Sequence, residues 1–273
     1  MNIIVTSAGR RVKIIEYFKK AFTNVQGKVI ATDCDIKAPA LYFADDFEIV
    51  PRIDDQNYIE YLLEICKKHN VKGIVSLIDP ELEILAQHKD KFEKEGIKLV
   101  LSPLEMIQKS FDKQDTYRFL SELSIPAVPT FDNYEEVLSL LDQNDITFPL
   151  VVKPRKGSAS DGIQIVSCRD TFENIFSQTN DLDLIIQPFY KDKEFGIDVY
   201  IDMISGELVD IFIKEKNLMR SGETDKSTSV HNDKIEKLVM ETISKTDFIK
   251  RYASWVQNVV RQFGPYPSWA LEV

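Results

Sequence analysis

Apolar and polar positions in the first hundred residues follow two periods. Short apolar runs, typical of buried strands, lie at Ile3 to Val5, Val29 to Asp33 and Gly73 to Ile78. Between these runs, Val12 to Phe22 and Tyr58 to Lys68 have apolar residues at helical spacing. Strands that alternate with helices in this way predict a parallel sheet with helices on its faces.

The pattern changes after Ser102 and Pro103, and we expect a domain boundary near residue 105. Beyond this point a loop, rather than a helix, joins the first two strands. The predicted strands are Phe148 to Lys153, Gly162 to Val166, Leu184 to Phe189, Glu194 to Met203 and Leu208 to Lys214.

Three further segments complete the prediction for the second part of the chain. Asp112 to Glu122 has helical spacing, and Ser110 is the expected cap. The polar stretch from Asn217 to Asp233 predicts a mobile loop. Ile235 to Gln262 is expected to be a long helical region with a break near Thr246.

Composition and charge exclude several classes of protein. The formal net charge of −10 argues against a nucleic acid or an anionic membrane as the main partner, because both require a basic face. No apolar run approaches the length of a membrane span, and the first residues lack a signal peptide, so we expect a cytoplasmic protein. Cys34, Cys66 and Cys168 are too far apart to indicate a disulfide framework or a zinc site.

The segment KPRKGSASDG, Lys153 to Gly162, has the composition of an anion-binding loop. Its glycines allow backbone N–H groups to approach an anion, its serines add donors, and Lys153 supplies a charge. Ile163 and Gln164 stand where a Walker A motif has Lys-Ser or Lys-Thr, so the segment is not a P-loop. A ligand-binding loop and an ordinary surface hairpin both remain open on composition alone.

Lys113 is expected in the first turn of a helix, where a cation opposes the helix dipole unless a bound anion compensates. A solvated lysine is the alternative interpretation. The first βα loop, Ser7 to Arg11, lacks the GxGxxG fingerprint of dinucleotide-binding domains.

Taken in order, these features resemble the ATP-grasp superfamily, in particular the branch of the carbamoyl-phosphate synthase large chain and the pyrrolysine-synthesis ligase. Thr6 to Arg11, Asp33 and Leu77 to Leu82 resemble the Rossmann-like domain that precedes the grasp in that branch. The resemblance implies an α/β and α+β fold, with a Rossmann-like pre-ATP-grasp domain at residues 1–105. An incomplete two-lobed ATP-grasp unit follows, with lobes at 106–183 and 184–273.

The resemblance also implies a role for each matching residue. Lys113 and Lys153 would bind the phosphates of ATP, and Glu194 would accept hydrogen bonds from the ribose. The flap over the phosphates would comprise Gly157, Ser158, Ala159, Ser160 and Gly162, and the adenine edge would meet backbone groups of Gln187, Pro188 and Phe189.

Lys214 and Arg220 are the implied catalytic residues, placed for the γ-phosphate and the acyl phosphate formed from it. Each can also be a solvated charge on a strand or loop. Members of the family require Mg²⁺, and Glu272 is the implied ligand. In the family the metal ligands lie on two adjacent late strands, and Pro267 to Val273 resembles the first of them. The second strand, with Glu-x-Asn, has no counterpart, so we expect a truncated or split chain.

The leading functional hypothesis is therefore an ATP-dependent ligase that joins a small-molecule carboxylate to an amine or thiol through an acyl phosphate. The alternative is a nucleotide-binding protein or split fragment without turnover of its own, since the second metal-ligand strand is missing. A Rossmann oxidoreductase is disfavoured by the absent GxGxxG. A homodimer is one possible assembly.

Overall fold

The computed structural model describes residues 1–23, 25–157, 162–178, 183–202, 205–220, 223–245, 256–263 and 268–272, the last two ranges for their backbone alone. The chain divides into two compact units, Met1–Ile107 and Gln108–Val273. In the described part of the chain, no helix combines the length and the apolar character that crossing a bilayer requires.

The first unit contains a five-stranded parallel sheet in the order β3-β2-β1-β4-β5, which confirms the predicted α/β class. Its strands are β1 (Asn2–Thr6), β2 (Val29–Asp33), β3 (Asp46–Ile49), β4 (Val71–Ser76) and β5 (Lys98–Val100). Its helices are α1 (Val12–Phe22), α2 (Tyr58–Lys68), α3 (Asp79–Gln87) and α4 (Lys89–Lys94), and a short 3-10 helix spans Pro39–Phe43. Helix α5 (Leu104–Phe111) crosses the boundary between the units.

Alternate residues of β1 enter two separate cores. Ile4 packs in a core with Tyr58 of α2, whereas Ile3 and Val5 pack in another core with Ile15 of α1. Because side chains of a strand alternate between the faces of a sheet, a run of apolar residues requires helices on both faces. The continuous apolar run in β1 therefore accounts for the layered arrangement.

A small antiparallel sheet in the order β7-β6-β8 lies in the second unit. Its strands are β6 (Leu150–Pro154), β7 (Gln164–Val166) and β8 (Leu184–Pro188), with helices α7 (Tyr134–Asp142) and α8 (Arg169–Gln178). Leu150 and Val152 pack against Phe172 of α8 in a common core. The alternate residues, Val151 and Lys153, therefore belong to the opposite face of this sheet.

A larger antiparallel sheet in the order β11-β10-β9-β12-β13 completes the second unit. Its strands are β9 (Glu194–Ile201), β10 (Leu208–Arg220), β11 (Glu223–Ser229), β12 (Val256–Phe263) and β13 (Ser268–Glu272). Helices α6 (Lys113–Glu122) and α9 (Asp233–Lys245) pack on one of its faces, where Leu120 and Val239 join Ile197 in the core.

Two sequence predictions are wrong in this region. The segment predicted as helix to Gln262 contains strand β12, because Val256, Val259 and Val260 have helical spacing but the β-branched side chains that favour strands. The predicted mobile loop contains the end of β10 and all of β11. Its polarity reflects a strand at the edge of the sheet, where neither face needs apolar side chains.

Candidate functional site

Lys153 lies near the end of β6, on the face of the small sheet opposite the α8 core. It is 6% exposed and pairs with Ile185 of β8. Gln187 belongs to the same face, and its side-chain amide donates to the hydroxyl of Thr130 at 2.8 Å. Ile165 of β7 pairs with Val151 and is 56% exposed, so an apolar side chain is open on this face.

The glycine loop follows β6, and its two ends are described. Ser158, Ala159 and Ser160 fall outside the described residues, as does the rest of 158–161. Gly162 has a φ of +71°, and a Cβ atom there would lie 2.9 Å from Cγ of Pro154. The loop therefore returns directly against the end of β6, which only glycine permits at this position.

Asp112, rather than Ser110, caps α6. Its carboxylate accepts from the amide N–H groups of Gln114 at 3.1 Å and Asp115 at 3.0 Å, and pairs with Nε of Arg155 at 2.8 Å. Burial acts to raise the pKa of Asp112, but the hydrogen bonds from Arg155 and Asp115 prevail and lower it. Ser110 instead lies within α5, two residues before this cap.

The Lys113 side chain lies at the base of the glycine loop. Its ammonium donates to three carbonyl oxygens, those of Pro154 at 3.2 Å, Arg155 at 3.3 Å and Gly157 at 3.1 Å. The structure thus brings Lys113 to the residues that directly follow Lys153. The family resemblance alone placed these two lysines at the same phosphates, because 39 residues separate them and the contact runs through backbone carbonyls.

The segment from β8 to β9 connects the two sheets of the unit. The amide N–H of Phe189 donates to the carbonyl oxygen of Pro149 at 3.1 Å, and Pro188 has no N–H to offer. The backbone groups of these two residues that remain for a ligand are therefore their carbonyl oxygens. Glu194, the first residue of β9, follows five residues after Phe189.

Two lysine-carboxylate pairs lie on the face of the larger sheet that α6 and α9 leave uncovered. Lys214 pairs with Asp198 at 2.8 Å, and Lys216 pairs with Glu194 at 2.6 Å. A Cβ atom on Gly196, between the two carboxylates, would lie 2.9 Å from Cε of Lys214, so glycine leaves room for the lysine stems. Lys216 was not among the predicted site residues, although the alternation of strand residues from Lys214 could have identified it.

The remaining predicted residues are farther along the sheet. Arg220 ends β10, pairs with Asp225 at 3.1 Å and has a side chain that is 73% exposed. The backbone of Glu272 pairs with Val259, which in turn pairs with Gly196. This register places Glu272 in the same row of the sheet as Gly196, while its side chain lies outside the described residues.

A group of potential metal ligands lies elsewhere in the described part of the unit. His231, Asp233 and Glu236 have ligand atoms within 4.8 Å of one another near the start of α9. Helix α9 covers the core face of the larger sheet, so this group lies on the side opposite the Lys214 pair. Exposed acidic groups of this kind are common without a cation.

The first unit has a buried carboxylate that is not among the predicted site residues. Glu81 of α3 accepts hydrogen bonds from Ser7 and Ser76, both at 2.7 Å, and from Tyr58. Burial, together with the neighbouring Glu81, raises the pKa of Tyr58. Ser7 and Ser76 lie at the carboxyl ends of β1 and β4, the edge at which open parallel sheets commonly bind ligands.

Comparison with known families agrees with both units. Residues 110–252 match the ATP-grasp domain family, and residues 3–100 match the PylC-like N-terminal domain family. The first match covers more than half of the chain, and it includes Lys113, Lys153, Glu194 and Lys214.

Individual relatives extend over different parts of the chain. Formate-dependent phosphoribosylglycinamide formyltransferase of Bacteroides thetaiotaomicron is 32% identical over 172 residues, which is 60% of this chain and 42% of the relative. The carbamoyl phosphate synthase large chain of Clostridium acetobutylicum is 23% identical over 243 residues, 83% of this chain and 21% of the relative. The chain thus spans less than half the length of either curated relative.

A solved structure supports the fold across both units. The biotin carboxylase domain of Hydrogenobacter thermophilus 2-oxoglutarate carboxylase, solved with MgADP and bicarbonate, matches with a TM-score of 0.76 at 14% identity. The match covers 99% of this chain and 62% of that one. The predicted ATP-grasp resemblance and fold class are confirmed, and the chain belongs to the ATP-grasp family.

Proposed function

We propose that the second unit binds ATP on the face of the small sheet that carries Lys153, with the phosphates at the base of the glycine loop. The observation that carries this proposal is the convergence of two lysines. Lys153 lies near the end of β6, and the Lys113 ammonium is 3.2 Å from the carbonyl oxygen of the next residue, Pro154. Two ammonium groups on a fixed backbone favour a ligand with several negative charges, such as a triphosphate.

The same face offers groups suited to the nucleoside. Ile165 is an exposed apolar side chain against which a base can pack, and the carbonyl oxygens of Gln187, Pro188 and Phe189 can accept from an adenine amino group. Glu194 is the proposed ribose ligand. Its carboxylate accepts from Lys216, and a carboxylate has enough lone pairs to accept from ribose hydroxyls as well.

Lys214 and Arg220 are the proposed catalytic residues. Lys214 is held by Asp198 on the uncovered face of the sheet, where its charge can stabilise the transferring phosphoryl group. Arg220 is exposed and would have to leave Asp225 to reach the same group. The flap role of Ser158, Ala159 and Ser160 stays a prediction.

Magnesium fits the chemistry of Glu272, the ligand that the family resemblance implies. Mg²⁺ prefers carboxylate oxygens, and the backbone register of Glu272 places this residue in the row of Gly196, which lies opposite Lys214. When bound, Mg²⁺ would neutralise negative charge on the phosphates of ATP. We propose Glu272 as its protein ligand.

The whole protein is proposed to be an ATP-dependent ligase. A carboxylate oxygen attacks the γ-phosphorus, the bond to the β-phosphate oxygen breaks, and ADP leaves. An amine or thiol then attacks the acyl carbon, loses its proton, and inorganic phosphate departs. The proposed partners are ATP and a small carboxylate. The proposed location is the cytoplasm, and a homodimer is the proposed assembly.

Hydroxylamine trapping tests this reaction whichever nucleophile the enzyme uses, because hydroxylamine itself attacks an acyl phosphate. The purified protein is incubated with ATP, Mg²⁺, hydroxylamine and pools of small carboxylates. We expect a hydroxamate together with ADP and phosphate for one pool. Lys214→Met should lower the hydroxamate yield with ATP affinity retained, whereas the exposed control Lys226→Met should not. AMP and pyrophosphate as products, or no nucleotide consumption with any pool, would contradict the proposal.

A further inference from the structure

Arg155 joins the end of β6 to the start of α6 through both its backbone and its side chain. Its Nε lies 2.8 Å from each carboxylate oxygen of Asp112, and its Nη2 lies 3.1 Å from Asp115. Its carbonyl oxygen accepts from the backbone N–H of Lys113 at 3.2 Å and from the Lys113 ammonium at 3.3 Å. One residue therefore holds both Lys113 and the residue before it.

The partner of this guanidinium is a buried anion. The Asp112 side chain is 5% exposed, and its charge requires a cation or strong donors in place of water. Lys156 lies 3.9 Å away but is largely exposed, so Arg155 makes the closer contact. The hydrogen bond with Asp112 is the main cause that raises the pKa of Arg155, which agrees with a tightly held pair.

The Lys113 side chain depends on this arrangement. Its three carbonyl acceptors belong to Pro154, Arg155 and Gly157, which follow β6, whereas its own backbone belongs to α6. The ammonium reaches these carbonyls only while the helix start and the strand end keep their relative position. A lysine side chain otherwise loses considerable conformational entropy when a ligand orders it.

We propose that Arg155 is a positioning residue for nucleotide binding. It holds the start of α6 against the end of β6, so that Lys113 and Lys153 can contact the same anion. Its contribution to nucleotide affinity passes through Lys113. The inference rests on the proposed ATP site and adds a residue outside the set that contacts the nucleotide.

A double-mutant cycle tests the route of this effect. Arg155→Met should weaken ATP binding about tenfold in calorimetry when Lys113 is present, since coupled neighbours interact by 0.5–3 kcal/mol, roughly 2- to 150-fold. In a Lys113→Ala background the same substitution should change the affinity less than about twofold. Arg155→Lys should restore part of the affinity, because it keeps the charge without the forked geometry.

Arg169→Met is the matched control. Arg169 lies in the same unit and also pairs with two carboxylates, Asp142 at 2.6 Å and Glu173 at 2.8 Å, but it lies on α8. We expect its substitution to leave ATP affinity unchanged in both backgrounds. An equal loss in this control would indicate a general effect of removing an arginine and would overturn the assignment.

Hydrogen exchange provides a measurement that needs no nucleotide. The amides of Lys113, Gln114 and Asp115 donate to Arg155 or to the Asp112 carboxylate, so Arg155→Met should speed their exchange. Amides paired between β6 and β8 should stay protected, which would show that the unit remains folded.

Two further results would overturn the inference. One is an equal loss of ATP affinity from Arg155→Met in the presence and absence of Lys113; the other is unchanged exchange at the start of α6. Failure of the ATP site itself has a different signature: neither Lys113→Ala nor Lys153→Ala would alter ATP binding, whereas the exchange result would still report on the Arg155 contact.

Discussion

At the scale of single residues, every charged group that the structure describes in the site already has a partner within the protein. Lys214 and Lys216 pair with carboxylates, and the Lys113 ammonium binds backbone carbonyls. Phosphate binding at these lysines is therefore an exchange of partners rather than the desolvation of free charges. Such an exchange costs less than stripping water from an isolated ammonium.

Glu194 offers a prediction that links one carboxylate to one part of the nucleotide. Glu194→Gln should weaken ATP binding by roughly three- to tenfold, because hydrogen bonds to a charged group contribute about 1.5–3 kcal/mol and the amide retains part of that. The same substitution should weaken the binding of 2′,3′-dideoxy-ATP far less. Calorimetry with both nucleotides checks this, with the exposed Glu207→Gln as control; an equal loss for both nucleotides would exclude ribose as the contact.

Asp112 gives a prediction for pH. Burial opposes ionisation, but Arg155 and the Asp115 amide lower the pKa of this carboxylate in the folded state. A carboxylate whose pKa is lower in the folded than in the unfolded state stabilises the folded state above about pH 4. This stabilisation is lost as the pH falls through the folded-state pKa. Asp112→Asn should therefore lower the thermal midpoint at pH 7, and the difference should shrink towards pH 3. A difference that is constant with pH would contradict the assignment.

At the scale of elements, α6 connects the two sheets of the second unit. Its first residue, Lys113, contacts the end of β6, while Leu120 packs with Ile197 and Ile213 of the larger sheet. Helix α6 thus sets the position of a phosphate ligand relative to strands that carry Glu194 and Lys214. The packing of Leu120 and the position of Lys113 therefore both depend on this helix.

Leu120→Ala tests this connection through stability. The buried leucine is 5% exposed, and its truncation should cost about 2–5 kcal/mol in unfolding free energy, since the cavity adds to the lost transfer term. Leu218→Ala, on an exposed position of β10, should cost less than about 0.5 kcal/mol. Urea unfolding measures both, and similar losses for the two variants would contradict the packing described.

Sequence patterns predicted most elements whose side chains face a core, including β1, α1, β6 and β9. These patterns predicted a helix at β12, because Val256, Val259 and Val260 have helical spacing. They predicted a loop at β11, because this polar edge strand has no apolar face. They identified Lys113 and Lys153 but not Arg155 or Lys216. Arg155 contacts Asp112 across 43 positions of the sequence, and one sequence holds no signal for such pairing. The alternation of strand residues from Lys214 could have identified Lys216.

At the scale of the whole molecule, a parallel αβ unit precedes an ATP-grasp unit. The family match shows the kind of fold, whereas the carboxylate and the nucleophile stay proposals. The chain spans less than half the length of these two curated relatives. The binding of ATP by the second unit is therefore the part of the proposed activity that can be tested most directly.

The most direct test is calorimetric titration of ATP, with and without Mg²⁺. The titrated proteins are the unmodified chain, Lys113→Ala, Lys153→Ala and the exposed control Lys234→Ala. We predict one site in the unmodified protein and in the control. Each of the two site substitutions should weaken binding by about tenfold or more, as expected for the loss of a charge-assisted contact. Absence of binding in the unmodified protein, or binding that is equally tight in all four proteins, would contradict an ATP site at the glycine loop.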